Sequence, residues 1–200
     1  MHIFFILGAD RVGKSTYVDN LISCLIDQDK SFRKYHFSGP QPHHNTPIDQ
    51  YTLPLQEGID SGAEFHICDR GGSEVCFYEK YRRGIDIDVS WAQCFESWCL
   101  SKFNKVNIVL LNKNWGNVLE SRHLQEIDQL YPNSTEWFRR QQLLSRKAEH
   151  LAYYDYMHKY FSLIEGYTLF DQNIISMQSN NLKFDVSFYL EKLGVISPDV

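Results

Sequence analysis

The stretch "FFILGADRVGKSTYV" (residues 4–18) joins an apolar run to a helix-like run through a loop that contains two glycines. Four of its residues, Gly8, Gly13, Lys14 and Ser15, match the pattern GxxxxGK[ST] without a gap. This pattern is specific only when a strand precedes it and a helix follows it, and both are predicted here. The stretch therefore predicts the phosphate-binding loop of a P-loop NTPase.

The apolar runs along the chain predict a parallel sheet. "HIFFIL" (2–7) is short, continuous and rich in Ile and Phe, which is typical of a strand that is buried on both faces. Similar runs follow at 33–37, 64–68, 106–111 and 166–170. Because the segments between the runs are long enough for crossover helices, we expect a parallel five-stranded sheet flanked by helices, in one α/β domain that covers residues 1–200.

Each motif residue has a chemical reason to bind a nucleotide. The glycines allow backbone N–H groups to surround the β-phosphate, Lys14 reaches the β- and γ-phosphate oxygens, and the Ser15 hydroxyl ligates Mg²⁺ at the positive end of the helix. Thr16 supports the start of the helix. ATP and Mg²⁺ are the expected cofactors.

Composition limits the class of protein. With 200 residues and 43% hydrophobic content, the chain can form one substantial core. The net charge of −5 gives no general basic field for a nucleic acid, although a local arginine cluster still allows phosphate binding in a cleft. The apolar N-terminal run is too short for a signal peptide or a membrane span. We expect a soluble cytoplasmic protein that acts on a small nucleotide without a membrane; a nucleic-acid acceptor and a homodimer stay open.

The five cysteines form an odd set without a CxxC pair, and most lie in apolar surroundings. They predict buried thiols in a reducing compartment. The positions are 24, 68, 76, 94 and 99.

The second half of the chain predicts two helical regions. From Leu144 to Ile164 apolar residues recur at three- and four-residue steps, which is typical of a long amphipathic helix that packs on the core. The polar segment 114–142, with Pro132 in its middle, predicts a helix, a break and a second helix. Residues 181–194 predict a closing amphipathic helix.

The loop resembles that of the thymidylate kinase family. "GADRVGKST" carries Asp-Arg ahead of the Gly-Lys pair, as eukaryotic-type members do. The resemblance implies that Asp10 lies near the acceptor sugar and phosphate and that Arg11 reaches the γ-phosphate of the donor.

A second segment, "FHICDRGGSEVCFYEKYRRG" (65–84), is similar to the Asp-Arg-Tyr segment of the same family. The resemblance implies that Asp69 helps to organise Mg²⁺ and that Arg70 contacts the acceptor phosphate. Independently, phosphoryl transfer needs positive groups around donor and acceptor oxygens, and an arginine at the carboxyl end of a strand supplies one.

The family also closes a mobile lid over the phosphates, and residues 114–142 occupy the corresponding place. Its arginines, together with one on the following helix, are Arg122, Arg139, Arg140 and Arg146. At least one is expected to enter the site. The family pattern of Arg-Glu-Pro after the second strand is absent, since that strand is followed by "SGPQPHHNTP" (38–47).

These observations predict a nucleotide kinase that transfers phosphate from Mg-ATP to a thymidylate-like deoxynucleotide. A kinase that acts on a deoxynucleoside, or on a hydroxyl of a modified base in DNA, is the alternative. The predicted catalytic residues are Asp10, Arg11, Lys14, Asp69 and Arg70. The predicted cofactor-binding residues are Gly8, Arg11, Val12, Gly13, Lys14, Ser15, Thr16, Arg139 and Arg140, and the metal ligands are Ser15 and Asp69.

A GTPase switch is a competing hypothesis, because "DRGG" (69–72) fits DxxG and "NKNW" (112–115) begins like NKxD. Trp115 stands where an aspartate would accept hydrogen bonds from guanine, so that recognition is lost. A non-catalytic binding module is a further alternative, against which the intact Lys14, Ser15 and Asp69 argue.

Overall fold

The structure is a computed structural model that describes residues 1–37, 48–162, 166–169, 174–178, 186–188, 190–191 and 194. Five strands form one parallel sheet in the order β2-β3-β1-β4-β5. The strands are β1 (His2–Leu7), β2 (Phe32–His36), β3 (Phe65–Asp69), β4 (Lys105–Asn112) and β5 (Ile174–Gln178). The predicted α/β class, with a parallel sheet flanked by helices, is confirmed.

Within the described residues, six helices lie between or beside the strands. They are α1 (Lys14–Asp27), α2 (Asp49–Asp60), α3 (Gly72–Arg83), α4 (Val89–Lys102), α5 (Asn117–Leu130) and α6 (Glu136–Tyr160). Thr135 caps α6, where its hydroxyl accepts a hydrogen bond from the Phe138 N–H. The helix, break and second helix predicted for 114–142 correspond to α5, residues 131–135 and the start of α6.

β1 lies in the middle of the sheet and pairs with both β3 and β4. Residues Ile3 to Leu7 are all buried. Because alternate side chains of a strand point to opposite faces, this burial means that both faces of β1 are covered. The chain passes from β1 outward to β2 on one side and later crosses to β4 on the other, so β1 marks the point where the strand order reverses. Ligands of such sheets bind outside the carboxyl ends of the strands at this point.

The predicted fifth strand, at 166–170, is wrong in position. Residues 166–169 form no strand, and β5 begins at Ile174. The backbone N–H of Leu169 and the Thr168 hydroxyl instead donate to the buried Glu96 carboxylate, at 2.6 and 3.1 Å. Thr168 and Leu169 are therefore bound to Glu96 and do not pair with a neighbouring strand, although the apolar pattern of this segment predicts such pairing.

The predicted long helix is longer than expected at its start, since α6 begins at Glu136. Of the predicted closing helix, Val186 and Leu190 are described and are buried, whereas most of 181–194 lies outside the described residues. The cysteines follow the prediction in part. Cys68, Cys76 and Cys99 are buried, whereas Cys94 is exposed.

Among the described residues, every helix is too short or too polar to cross a membrane.

Candidate active site

The glycine loop (residues 8–15) leaves the carboxyl end of β1 and leads into α1. Gly13 precedes α1 with φ 107°, a left-handed conformation that glycine adopts without steric strain. Gly8 is held closely, because a Cβ there would lie 2.7 Å from a Val12 methyl group and 3.0 Å from the Leu111 carbonyl oxygen. Both glycines of the motif are therefore required by the local structure.

Lys14 lies within the curve of this loop. Its ammonium group donates hydrogen bonds to the carbonyl oxygens of Gly8 and Ala9, the latter at 3.1 Å. The loop thus surrounds a positive charge whose present partners are neutral carbonyl groups. Such a charge is available to an anionic ligand.

A cleft of about 580 Å³ opens next to the loop. Three parts of the chain line it: the loop and the start of α1, the ends of β2 and β3, and one face of α5. The lining residues are Asp10, Arg11, Gly13, Lys14, Ser15, Thr16, His36, Asp69, Arg70, Arg122, Gln125, Glu126 and Gln129. The structure thereby brings together all five residues predicted to be catalytic.

Asp69 ends β3 and is buried at the cleft wall. Its Oδ2 atom lies 3.1 Å from Nδ1 of His36, at the end of the neighbouring strand β2. Its Oδ1 atom is buried and has no hydrogen-bond partner among the described residues. A buried carboxylate oxygen without a partner is unfavourable unless a cation or a water molecule satisfies it.

Asp10 faces two arginines. One of its oxygens accepts a hydrogen bond from Arg82 at 2.7 Å, and the other lies 3.9 Å from Arg70. Burial raises the pKa of Asp10, but the positive charges of Lys14, Arg82 and Arg70 more than offset this effect, so the pKa lies below its ordinary value. Asp10 is therefore an anion at neutral pH.

Arg70, which follows β3, has φ 94°, an uncommon backbone conformation for a residue other than glycine. Its guanidinium group lies over the ring of Tyr78, 5.3 Å from the centroid. The backbone N–H of Arg70 donates to the Ile6 carbonyl of β1 at 3.2 Å. These contacts fix the side chain beside the glycine loop.

Helix α5 supplies a carboxylate on the opposite wall. Glu126 accepts hydrogen bonds from Arg11 and from Arg146 of α6. The hydrogen bond with Arg11 is the main cause of a lowered pKa for Glu126. Arg122 of the same helix donates to the Arg11 carbonyl oxygen at 3.1 Å. The loop is thereby attached to α5, in the segment that the sequence predicts to be a lid.

The predicted lid arginines fall into two groups. Arg122 lines the cleft. Arg146 does not line it but forms an ion pair with Glu126, which does. Arg139 instead pairs with Asp128 and donates to Ser134, and neither Arg139 nor the exposed Arg140 lines the cleft. Because both lie within the first two turns of α6, beyond the break at 131–135, the structure does not bring these two predicted cofactor-binding residues to the site.

Trp115 follows β4 at the position where a GTPase carries its aspartate. Its ring stacks on that of His123, with centroids 5.0 Å apart, and meets His150 edge to face at 5.4 Å. Burial, followed by the charge of Arg146, lowers the pKa of His123 to about 4, so this ring is neutral. The cluster packs α5 against α6, and the indole of Trp115 supplies no carboxylate to a guanine base.

Sequence reasoning missed three acidic or basic residues at the site. Glu74 is fully buried beneath the loop, where it accepts hydrogen bonds from the Gly8 N–H at 3.3 Å and from the Tyr153 hydroxyl at 2.5 Å. Burial raises the pKa of Glu74 above its ordinary value. Arg82 and Glu126 are the others, and their partners are 72 and 115 residues away along the chain. Of the three, only Glu74 could have been suspected from the local sequence, because it closely follows the Asp69–Arg70 pair.

The segment 38–47, in which the Arg-Glu-Pro pattern is absent, lies outside the described residues. Val12 of the predicted donor site is buried and packs against Gly8.

The fold is similar to that of a solved kinase. The crystal structure of polyphosphate kinase 2 from Arthrobacter aurescens TC1 superimposes with a TM-score of 0.55 at 16% sequence identity, over the whole of this chain and 71% of that one. No protein-family model and no curated protein matches the sequence. The comparison supports a P-loop-kinase-like α/β fold, and at this identity it shows the fold alone.

Proposed function

We propose that this protein is a phosphotransferase that moves the γ-phosphoryl group of Mg-ATP to a deoxynucleotide, a thymidylate-like monophosphate. One observation carries the proposal. The glycine loop with Lys14 and Ser15, and the Asp69–Arg70 pair, line a single cleft at the carboxyl edge of the central strands. This is where parallel α/β sheets bind their ligands.

The donor side consists of the loop and the start of α1. The backbone N–H groups and Lys14 would hold the β- and γ-phosphates, and Ser15 and Thr16 line the cleft beside them. Arg11 would contact the γ-phosphate, in exchange for its present partner Glu126. In phosphoryl transfer such positive groups stabilise the charge that spreads over the equatorial oxygens.

Mg²⁺ fits the residues present. Asp69 offers a buried oxygen that has no partner among the described residues, and Ser15, which carries a hydroxyl, lines the same cleft. Among the described residues there is no cluster of three or more His, Cys, Asp and Glu that could hold a metal by itself. This agrees with a Mg²⁺ site completed by substrate phosphates and water. When bound, the ion would neutralise phosphate charge.

The acceptor side consists of Arg70 and Asp10. An acceptor phosphate oxygen would attack the γ-phosphorus while the bond to the β–γ bridging oxygen breaks, which gives ADP and a diphosphate product. Arg70 would hold the acceptor phosphate and Asp10 would orient the acceptor. Positioning and charge neutralisation carry most of such a reaction, so a separate general base is not required.

The alternative acceptors are a deoxynucleoside and a hydroxyl of a modified base in DNA, which could use the same loop. The name of the structural neighbour adds polyphosphate to the donors that should be tested. A GTPase is disfavoured because Trp115 is enclosed by two histidines and cannot replace the missing aspartate.

The test is a transfer assay with a donor and an acceptor panel. Labelled ATP, GTP or polyphosphate is combined with each of the four deoxynucleoside monophosphates, the four deoxynucleosides and a short DNA that carries hydroxymethyl bases. We expect Mg²⁺-dependent transfer from ATP to one monophosphate, and none with the Lys14→Ala variant as the control. Nucleotide hydrolysis that prefers GTP and needs no acceptor would contradict the proposal, as would transfer confined to the nucleosides or the DNA.

A further inference from the structure

Two arginines share one carboxylate at the acceptor side of the cleft, but they share it unequally. Arg82 is hydrogen-bonded to Asp10 at 2.7 Å, whereas Arg70 is 3.9 Å from the other oxygen. Only Arg70 lines the cleft. Of the two arginines, the one outside the cleft lining is therefore the closer partner of the Asp10 carboxylate.

Arg82 is satisfied within the protein. Besides Asp10, it donates two hydrogen bonds to Glu149 of α6, one of them from Nε at 3.1 Å. Its guanidinium group also lies over the Tyr78 ring, 4.4 Å from the centroid. With two carboxylates and an aromatic face around it, Arg82 has little capacity left for a substrate.

Arg70 is in the opposite condition. It rests on the same Tyr78 ring, and its Nε–H is buried without a hydrogen-bond partner among the described residues. Within the described parts of the chain, its one ion pair is the long contact with Asp10. A guanidinium group with unused donors at the wall of a cleft suits a carboxylate or a phosphate.

We infer that Arg82 is a positioning residue that holds the Asp10 carboxylate away from Arg70 and so keeps Arg70 available for an anionic group of the acceptor. The inference rests on the proposed function and deepens it, because it requires an acceptor that carries a phosphate. Arg82 would support the binding of that phosphate by pairing with Asp10, without contacting the substrate itself. Without Arg82, Asp10 would keep the charge of Lys14 nearby, and its carboxylate would turn to Arg70, the arginine that already lies 3.9 Å away, and compete with the acceptor phosphate.

A purely structural role for Arg82 makes a different prediction. Arg82 also joins α3 to α6 through Glu149, and if this connection were its whole purpose, Glu149→Gln would have the same effect as loss of Arg82. The two roles can therefore be separated by a variant that breaks one contact and keeps the other.

The experiment compares Arg82→Gln, Arg82→Lys, Glu149→Gln and the double variant Asp10→Asn/Arg82→Gln with the wild-type protein. Lys80→Ala is the matched control, because it removes an exposed cation from the same helix whose partner, Asp86, is also exposed. Dissociation constants are measured by calorimetry for the deoxynucleoside monophosphate that the wild-type protein phosphorylates fastest and for the corresponding deoxynucleoside. Circular dichroism melting checks the fold of each variant.

We expect Arg82→Gln to weaken monophosphate binding by about tenfold, the scale of a lost charge-assisted contact, and to change nucleoside binding by less than about twofold. Arg82→Lys should restore part of the affinity, and Glu149→Gln and Lys80→Ala should leave it unchanged. In the double variant the monophosphate should bind nearly as well as to wild type, because the competing charge of Asp10 has been removed.

Three results would overturn the inference while leaving the proposed function intact: equal weakening for monophosphate and nucleoside, equal weakening in Glu149→Gln, or no recovery in the double variant. If Arg82→Gln does not fold, the same comparison is made with Arg82→Lys alone and combined with Asp10→Asn. If the wild-type protein transfers phosphate only to nucleosides, both the inference and the proposed monophosphate acceptor fail.

Discussion

Removing the hydroxyl of Tyr153 tests how the glycine loop is supported from below. Tyr153 of α6 is completely buried, and its hydroxyl donates to Glu74 Oε1 at 2.5 Å. The same oxygen accepts from the Gly8 N–H at 3.3 Å, at the first glycine of the loop. Glu74 therefore connects the loop to the long helix through two hydrogen bonds.

The expected magnitude follows from this geometry. In Tyr153→Phe, Glu74 Oε1 loses the Tyr153 hydroxyl and keeps the longer hydrogen bond from the Gly8 N–H. Loss of a hydrogen bond to a carboxylate costs about 1.5–3 kcal/mol of unfolding free energy. For a chain of this size about 2–4 °C of Tm corresponds to 1 kcal/mol, so Tm should fall by roughly 3–12 °C.

The loss should depend on pH. The pKa of Glu74 in the folded protein is raised by burial, so its stabilising contribution is fully present below its unfolded pKa and is lost as pH rises through the folded pKa. The Tyr153 hydroxyl favours the ionised form and lowers that pKa in part. The stability difference between Tyr153→Phe and wild type should therefore grow as pH rises.

The assay is thermal and denaturant unfolding of both proteins at several pH values, with Tyr156→Phe as the matched control. Tyr156 lies on the same helix, and its hydroxyl is buried without a hydrogen-bond partner among the described residues. Its removal should cost nothing or stabilise the fold. Equal losses in the two variants, or a Tyr153→Phe loss that shrinks with rising pH, would refute the reasoning.

Three further predictions concern phosphoryl transfer. Lys14→Ala should lower the transfer rate by at least about a hundredfold in a protein that still folds, since the hydrogen bonds of Lys14 to the described residues go to loop carbonyls and not to core side chains; an active variant would contradict the glycine-loop assignment. Asp69→Asn should raise the Mg²⁺ concentration needed for half-maximal rate and lower turnover, which a Mg²⁺ titration measures. If neither quantity changes, Asp69 does not act on the metal and serves only as the partner of His36. Arg11→Ala should reduce kcat/KM equally for two acceptors, whereas Asp10→Asn should reduce it unequally; equal Asp10 penalties would make Asp10 a support of the loop.

The sequence predicted those parts of the fold that local patterns determine. Strands β1 to β4 lie within a residue or so of the apolar runs, and the GxxxxGK[ST] match lies between a strand and a helix as its pattern requires. The break around Pro132 separates α5 from α6. In each case the signal lies within a few consecutive residues.

The misplaced fifth strand and the two unused lid arginines have a different origin. Residues 166–169 look like a strand, but the buried Glu96, some seventy residues earlier, binds their polar groups. Arg139 and Arg146 lie on one helix, yet Arg139 pairs with Asp128 and Arg146 pairs with Glu126. Side chains on α5 decide between them, and no pattern along α6 contains that information.

The charged residues of the loop were predicted from the sequence, but the partners with which they pair were not. Asp10 pairs with Arg82, Arg11 pairs with Glu126, and Lys14 is bonded to carbonyl oxygens of the loop itself. Each of these three loop charges already has a partner in the protein, so binding of the donor nucleotide must exchange partners and does not simply add contacts. Breaking an ion pair leaves the other member in need of compensation, and Glu126 retains Arg146 as a partner when Arg11 is withdrawn. This second partner is the physical reason to expect that Arg11 can move to a phosphate without leaving an uncompensated carboxylate on the cleft wall.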